Sequence, residues 1–426
     1  WVLTGDKAEA AVEIAKSCRL FEEHLKILWA VGATSADDAI SSLTDNLPVS
    51  DDTHCGMVLD GQSVEHILAS RESRAALHRL AQRAISCVCC RLSPMQKERL
   101  VRLVREQNAK CITLSIGDGA NDVPMIQGAH IGVGIRGKEG SAAVQACDFA
   151  ISQFMFLRNL MFCHGRRTYK RIATFLCYFM YKSAVLGCSY IIYAHTVNFT
   201  GKLTFPEGLD MIFNPLTSTA AIIVFATDAD CTDAVALQSP QLYSPGQQRA
   251  YMNQPVVLKW VLLGVLHGAI AWCVPVGVLT RALQRNAQED QYWQASFAAF
   301  TAIFIIVHAK LFQAATKPMR AIGVAAVVLE LMAYIPVIAL LVSPLSGKLG
   351  DNLHGVPEKI FTSWSFTHPT PLTCILLVPC LALLADAITV PALRCCRTLV
   401  GRAMRGSGVG RASRDTTREL LDVGGV

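Results

Sequence analysis

The sequence predicts an α/β domain built on a doubly wound parallel sheet, followed by an all-α membrane domain of six transmembrane helices. Three observations predict it. Up to about Gln153, short apolar runs alternate with helical patterns, the order that produces parallel βαβ units. Beyond that point, six apolar segments each come near the roughly 20 residues a helix needs to cross the hydrocarbon core. The 426-residue chain is 52% hydrophobic and only 17% charged, with a mean hydropathy of +0.35, too apolar for a wholly soluble protein.

The α/β part reads in order. Val2-Leu3 is a short strand leading into Thr4-Gly5-Asp6-Lys7 and a helix to about Cys18. The stretch Thr34 to Thr53 is rich in Ser, Thr and Asp and reads as a surface loop. Met57-Val58-Leu59 ends at the turn signal Asp60-Gly61, with helical sequence following to about Ala84. Cys87 to Cys90 is a strand, and Arg91-Leu92-Ser93-Pro94 opens a helix through Gln107, with Pro94 suited to its first turn. A strand over Cys111 to Ile116, a helix from Asn121, a strand over Ile131 to Ile135, a short helix after Ser141 and a strand around Phe149 complete the domain, residues 1–153.

The most informative motif is Gly117-Asp118-Gly119-Ala120-Asn121-Asp122, where a strand runs into a helix. Ligands of open α/β sheets bind at the carboxyl ends of strands, where Asp118 falls. The flanking glycines permit a tight turn and close approach of a phosphate or metal. Asp118 and Asp122 are hard oxygen ligands near enough in sequence to share one Mg²⁺, and Asn121 can hydrogen-bond a phosphate oxygen. A plain helix N-cap explains a bare Gly-Asp-Gly equally well; the following Asn121-Asp122 favours the metal. Thr4-Gly5-Asp6 also sits at a strand end, where a hydroxyl and backbone N–H groups can hold a phosphoryl oxygen. Lys97, one turn into its helix, can reach a transferring phosphoryl group, although a lone helix lysine is more often a solvated charge. Arg91 is equally ambiguous by itself.

Together these segments resemble the phosphorylation domain of P-type ATPases, a haloacid-dehalogenase-like fold. Met125 to Ile135, Gly137-Lys138-Glu139-Gly140, Asp148 to Ile151, His164-Gly165-Arg166-Arg167 and Tyr181-Lys182 are similar to the type IV phospholipid-flippase subclass, from Trp1 to about the last span. The resemblance implies that Asp118 and Asp122 ligate Mg²⁺, with Asn121 and Asp122 facing ATP or its phosphoryl group. It implies nucleotide or phosphate contacts for Thr4, Gly5, Asp6, Arg91 and Lys97. Phosphoryl transfer needs positioning, a cation at the developing charge and neutralising donors, the parts found here. The family's phosphorylated aspartate, in an Asp-Lys-Thr-Gly motif, does not occur in this sequence. Because the chain opens on Trp1-Val2-Leu3, without Met or signal peptide, it is expected to be the C-terminal portion of a longer polypeptide, inactive by itself.

Phe154 to Arg171 reads as a basic stalk helix, residues 154–171. The expected spans over 172–393 lie at about 172–197, 209–229, 256–279, 295–315, 321–343 and 372–393. The net charge of +6 is modest, and its basic residues cluster beside apolar segments, which fits a cytoplasmic membrane face rather than nucleic acid. Arg394, Arg397, Arg402 and Arg405 after the last span, with Lys317 and Arg320, place that side and the C-terminus in the cytosol. The membrane itself, plasma membrane or endomembrane, is left open. The tail 394–426 is expected to be disordered. The sixteen cysteines lack paired zinc spacings and read as reduced thiols, with Cys395-Cys396 a weak palmitoylation signal. Asn198-Phe199-Thr200 is a sequon too near the membrane to favour its use.

Inside the spans, Lys182 is the first candidate for function, since an ionisable group there costs about 2.5–3.5 kcal/mol on insertion scales. The resemblance places it in the lipid path with Asn214, although Ser183 stands where the family usually has Asn. Pro215 is expected to loosen the second span. Cation pumps need carboxylates in that span, and Ile212 to Phe225 contains none, which disfavours a cation-transporting ATPase. Glu330 and Asp386 stand as isolated acids without an assignable partner. The sequence therefore predicts ATP-driven movement of a phospholipid toward the cytoplasmic leaflet through an aspartyl-phosphate cycle. Such flippases commonly work with a small two-span accessory subunit, a partner the resemblance implies. The alternative is a truncated, non-catalytic membrane pseudoenzyme that binds Mg²⁺ and lipid or a partner subunit.

Overall fold

The computed structural model describes residues 1–22, 24–47, 55–137, 141–201, 203–205, 207–283, 289–316, 321–342 and 373–387. The chain divides into two compact units, Trp1–Arg158 and Asn159–Val426.

Among the described residues the first unit contains seven strands: β1 Val2–Leu3, β2 Lys26–Ala30, β3 Cys55–Asp60, β4 Ala84–Cys90, β5 Leu114–Gly117, β6 Ile131–Ile135 and β7 Phe149–Ile151. All pairings are parallel, and they form two sheets of order β1-β4-β3-β2 and β5-β6-β7. The helices are α1 Ala8–Ser17, α2 Ala36–Thr44, α3 Gly61–Ala69, α4 Arg71–Arg83, α5 Pro94–Gln107, α6 Val123–Gly128 and α7 Ala142–Ala146.

Strand alternation explains why both faces of the larger sheet are covered. Met57, Leu59, Cys87 and Cys89 share one cluster with Leu43 of α2, Ile67 of α3, Leu77 of α4 and Leu100 of α5. The intervening Val58, Val88 and Cys90 join Ala11, Val12 and Ala15 of α1 in another. A two-residue period sends neighbouring side chains to opposite faces, so such a strand is apolar throughout, as parallel strands usually are. Burial raises the thiols of Cys55 and Cys90 above the ordinary cysteine value. They behave as core residues.

Two expectations need correction. The stretch 34–53 is not all loop: α2 occupies Ala36–Thr44. Ser35 caps it by accepting from the Asp38 N–H, Asp37 and Asp38 lie in the first turn, and Ala39 and Leu43 are buried four residues apart. Polar composition masked an amphipathic helix whose acids complement its positive end. The strand expected over 111–116 begins later, at Leu114.

The second unit is helical: α8 Arg166–Thr196, α9 Glu207–Thr227, α10 Gln254–Leu283, α11 Glu289–Ala314, α12 Ala321–Val342 and α13 Thr373–Ala387. Among the described residues, four helices are long and apolar enough to cross a membrane: Phe156–Thr196, Leu209–Thr227, Gln254–Val278 and Ala295–Ala314. Where the fifth span was expected, α12 runs over 22 residues, Ala321–Val342; at the sixth, the described residues form a shorter apolar helix, Thr373–Ala387. The stretch read as one stalk helix contains a π-helical segment, Leu160–Gly165, ahead of α8. Cys395-Cys396, Lys317, Arg320, the tail and the loop 343–371 lie outside the described residues.

Packing between α8 and α10 is set by two glycines four residues apart. A Cβ on Gly264 would lie 2.7 Å from the Tyr181 carbonyl oxygen, and one on Gly268 would lie 2.4 Å from that of Val185. Small residues at this spacing let helix backbones approach closely. Beyond α9, Arg166 makes a two-pronged ion pair with Asp230, at 2.7 and 2.8 Å, joined by Lys170 at 3.3 Å. Burial by itself would raise the Asp230 carboxyl, but these two cations prevail and hold it well below the usual carboxylate range.

Candidate functional site

The first unit presents two clusters at the carboxyl ends of its strands. In one, the Thr4 hydroxyl donates to Asp6 Oδ2 (2.9 Å) and accepts from the Asp6 N–H (3.2 Å). The turn after β4 hooks onto it: the Arg91 N–H donates to the Asp6 carbonyl and the Leu92 N–H to the Thr4 carbonyl. Arg91 takes a left-handed backbone, φ 51°, unusual for a residue with a side chain. Gly61 explains how the turn closes, since a Cβ there would meet the Arg91 carbonyl oxygen at 2.3 Å. Asp60, read from sequence as a turn residue, caps α3. It accepts from the N–H and hydroxyl of Ser63 and from the Gly32 N–H. Burial pushes its carboxyl up, but these donors outweigh burial and bring it below the ordinary value.

The second cluster begins with the start of α5. Ser93 and Gln96 form a capping box with Pro94 in the first turn, and Gln96 also donates to the Gly61 carbonyl. This fixes Lys97, which is buried and reaches Asp122 Oδ1 at 2.8 Å. Asp122 Oδ2 accepts from the Asp118 N–H at 3.3 Å. Gly117 is required by this turn: a Cβ there would lie 2.4 Å from that of Asp122. The structure thus brings Lys97, a weak and distant signal in sequence, to Asp118 and Asp122 of the strongest motif. Thr4, Gly5, Asp6 and Arg91 form a separate group, and Asn121 lies in the 3₁₀ turn Ala120–Asp122.

The donor set fits Mg²⁺. The Asp118 carboxylate is exposed and makes no hydrogen bond or ion pair among the described residues, and Asp122 lies beside it on a turn cleared by glycine. No group of three or more metal-binding side chains occurs among the described residues. Two carboxylates are the usual protein share for Mg²⁺, which keeps waters and phosphate oxygens as its other ligands.

In the second unit, Lys182 of α8 is fully buried. Its ammonium donates to three oxygens of α9: Asn214 Oδ1 at 3.0 Å, Thr217 Oγ1 at 3.1 Å and Ser218 Oγ at 2.7 Å. It also lies 4.8 Å from the ring centre of Phe179 and 5.6 Å from that of Phe213. All three oxygens are uncharged, so no carboxylate neutralises the ammonium by direct contact. Asn214 is exposed and Ser218 half-buried, which puts the cradle at the edge of the packed helices.

Comparison with known proteins decides the family. The family described as Phospholipid-translocating P-type ATPase C-terminal matches residues 144–394. The chain belongs to this family. Among curated relatives, it is 34% identical over 328 residues to "Probable phospholipid-transporting ATPase 4" of Arabidopsis thaliana, covering 73% of this chain and 27% of that protein. It is 33% identical over 320 residues to "Phospholipid-transporting ATPase FetA" of Mus musculus, covering 68% and 27%. For "Probable phospholipid-transporting ATPase IM" of Homo sapiens the figures are 31% over 337 residues, 72% and 28%. The chain spans about a quarter of the length of these relatives. It is a C-terminal portion of a type IV P-type ATPase, and its apolar helices make it a multi-pass membrane protein.

Within the membrane unit of this ATPase portion, Glu330 and Asp386 are not isolated, contrary to the sequence expectation. Asp386 of α13 pairs with Lys310 of α11 (2.5 Å) and lies 3.4 Å from His267 of α10, which meets the Tyr181 hydroxyl at 2.6 Å. Glu330 of α12 faces His308 of α11 at 2.8 Å. Each acid finds partners on other helices, many residues away in sequence. A buried ionisable residue signals that a partner exists, but nothing local in the sequence says which.

Proposed function

We propose that this chain is part of an ATP-driven phospholipid flippase, and that Lys182 engages the anionic phosphate of the lipid. The observation that carries the reading is the ammonium held only by neutral oxygens at the edge of the helix bundle. A charge whose hydrogen bonds all go to neutral oxygens stays available to an anion, and an anion entering beside Asn214 and Ser218 meets it with hydrogen-bonding groups in place. Relatives named phospholipid-transporting ATPases support the same substrate class.

Energy would enter at the first unit. ATP would phosphorylate an aspartate that this sequence does not contain, in a cycle moving lipid toward the cytoplasmic leaflet. β1 and β5 are edge strands of their sheets, each ending in one of the phosphate motifs, and a further parallel strand carrying the nucleophile could pair with either. Asp118 and Asp122 would hold Mg²⁺, which neutralises charge on the transferring group. Lys97 orients Asp122 and adds positive charge, and Thr4, Asp6, Arg91 and Asn121 would contact the nucleotide or phosphate. The six-helix membrane domain, the cytosolic placement of the α/β unit and a two-span accessory subunit belong to the same proposal.

Phospholipid-stimulated ATP hydrolysis by the purified natural protein that carries this chain tests it. Added phospholipid should stimulate turnover severalfold, while Na⁺, K⁺ or Ca²⁺ should not. Stimulation by a cation without lipid would overturn the reading in favour of a cation pump.

A further inference from the structure

Among the described residues, two imidazoles are buried in the membrane unit, His267 and His308, and their partners differ in kind. His267 accepts at Nδ1 from the Tyr181 hydroxyl and turns Nε2 toward Asp386. A neutral ring with its proton on Nε2 is compatible with both neighbours, although at 3.4 Å Nε2 makes no hydrogen bond to Asp386. Among the described residues, His308 has no such donor. Its Nδ1 lies 2.8 Å from the Phe304 carbonyl oxygen one turn earlier on α11, and its Nε2 lies 2.8 Å from Oε2 of Glu330. A carbonyl oxygen and an ionised carboxylate both only accept. The other oxygen of Glu330 already accepts, from the Ala220 N–H of α9. A neutral His308 facing an ionised Glu330 has one proton for two acceptors, so one ring lone pair would press against an oxygen lone pair. The two side chains are only 4% and 7% exposed, where an uncompensated charge is costly.

We propose that His308 and Glu330 form a proton-binding site, holding one proton more than a neutral imidazole and an ionised carboxylate. The proton comes from water and takes the pair from a net charge of −1 to 0. It resides as imidazolium with carboxylate, or as neutral imidazole with carboxylic acid; both satisfy every contact. Of the ionisable groups on α8, Lys182 and Tyr178 feel the Glu330 charge electrostatically, without a direct hydrogen bond to it. Lys310 on α11 is engaged by Asp386, and Tyr334 on α12 meets the Thr301 hydroxyl. The span of α9 packed here brings a backbone N–H and no ionisable side chain. Ala220 lies within one turn of Thr217 and Ser218, so the protonated pair anchors the part of α9 that cradles Lys182. The site stands on its own hydrogen-bond geometry and does not depend on which substrate the protein moves.

Glu330→Gln mimics the protonated pair. Its amide oxygen can accept from Ala220 while its N–H donates to His308 Nε2, with the remaining ring proton on Nδ1 serving Phe304. The purified natural protein with Glu330→Gln should therefore fold and melt as wild type. At neutral pH the wild type should show either the nitrogen NMR signals of an imidazolium or the infrared band of a protonated carboxyl, and that signal should vanish in Glu330→Gln. Should that variant not fold, His308→Gln, whose amide can donate to an ionised Glu330, should abolish the same signal. Wild-type spectra in which neither signal changes with either substitution overturn the proposal.

Discussion

Lys182→Met is expected to raise the phospholipid concentration for half-maximal ATPase stimulation by about tenfold to a hundredfold. A hydrogen bond to a charged group is worth about 1.5–3 kcal/mol, and each 1.4 kcal/mol is a factor of about ten. The substitution keeps most of the side-chain volume and removes only the ammonium. The groups left behind are not stranded: Thr217 donates to the Phe213 carbonyl in any case, and Asn214 reaches the exterior. Folding should survive, so the loss will read as weaker lipid engagement and not as missing protein. An unchanged half-saturation would remove Lys182 from the lipid path.

The buried pair Lys310 and Asp386 carries the other large effect. Lys310→Met should destabilise the membrane unit by roughly 3–5 kcal/mol, because removing one member of a buried pair strands the other. Asp386 would keep only His267, at 3.4 Å, while its side chain is 6% exposed. The double variant Lys310→Met with Asp386→Leu should recover most of that loss, since apolar replacement of both partners is often neutral. Thermal unfolding in detergent reads both variants. A double variant as unstable as the single one would mean that the pair does more than neutralise itself.

Much of this organisation was legible in the sequence where local chemistry decides it. Pro94 in the first turn and the apolar run before Asp60-Gly61 are consequences of backbone geometry that neighbouring residues dictate. The Gly117 to Asp122 turn was legible too, and the structure adds that Gly117 makes room for Asp122 and that Lys97, far earlier in the chain, closes on it. The helix at Ala36–Thr44 was missed because Ser, Thr and Asp serve equally in loops and at helix starts. Only the burial of Ala39 and Leu43 separates the two. Lys182 was flagged by its cost in a membrane, and its partners Asn214 and Ser218 lie in the motif beside Pro215. The partners of Glu330 and Asp386 could not be read, because inter-helix pairing depends on helix rotation and crossing. The close approach of α8 and α10 at Gly264 and Gly268 is part of what sets them.

The natural protein is proposed to move phospholipid by spending ATP. Reconstituted into vesicles with a labelled phospholipid, it should translocate label from one leaflet to the other when MgATP is supplied on the side of the α/β unit. The Asp118→Asn protein should fall to the level seen without ATP, and the Lys182→Met protein should fall well below wild type. Equal translocation with and without MgATP, or full translocation by both variants, would contradict the account.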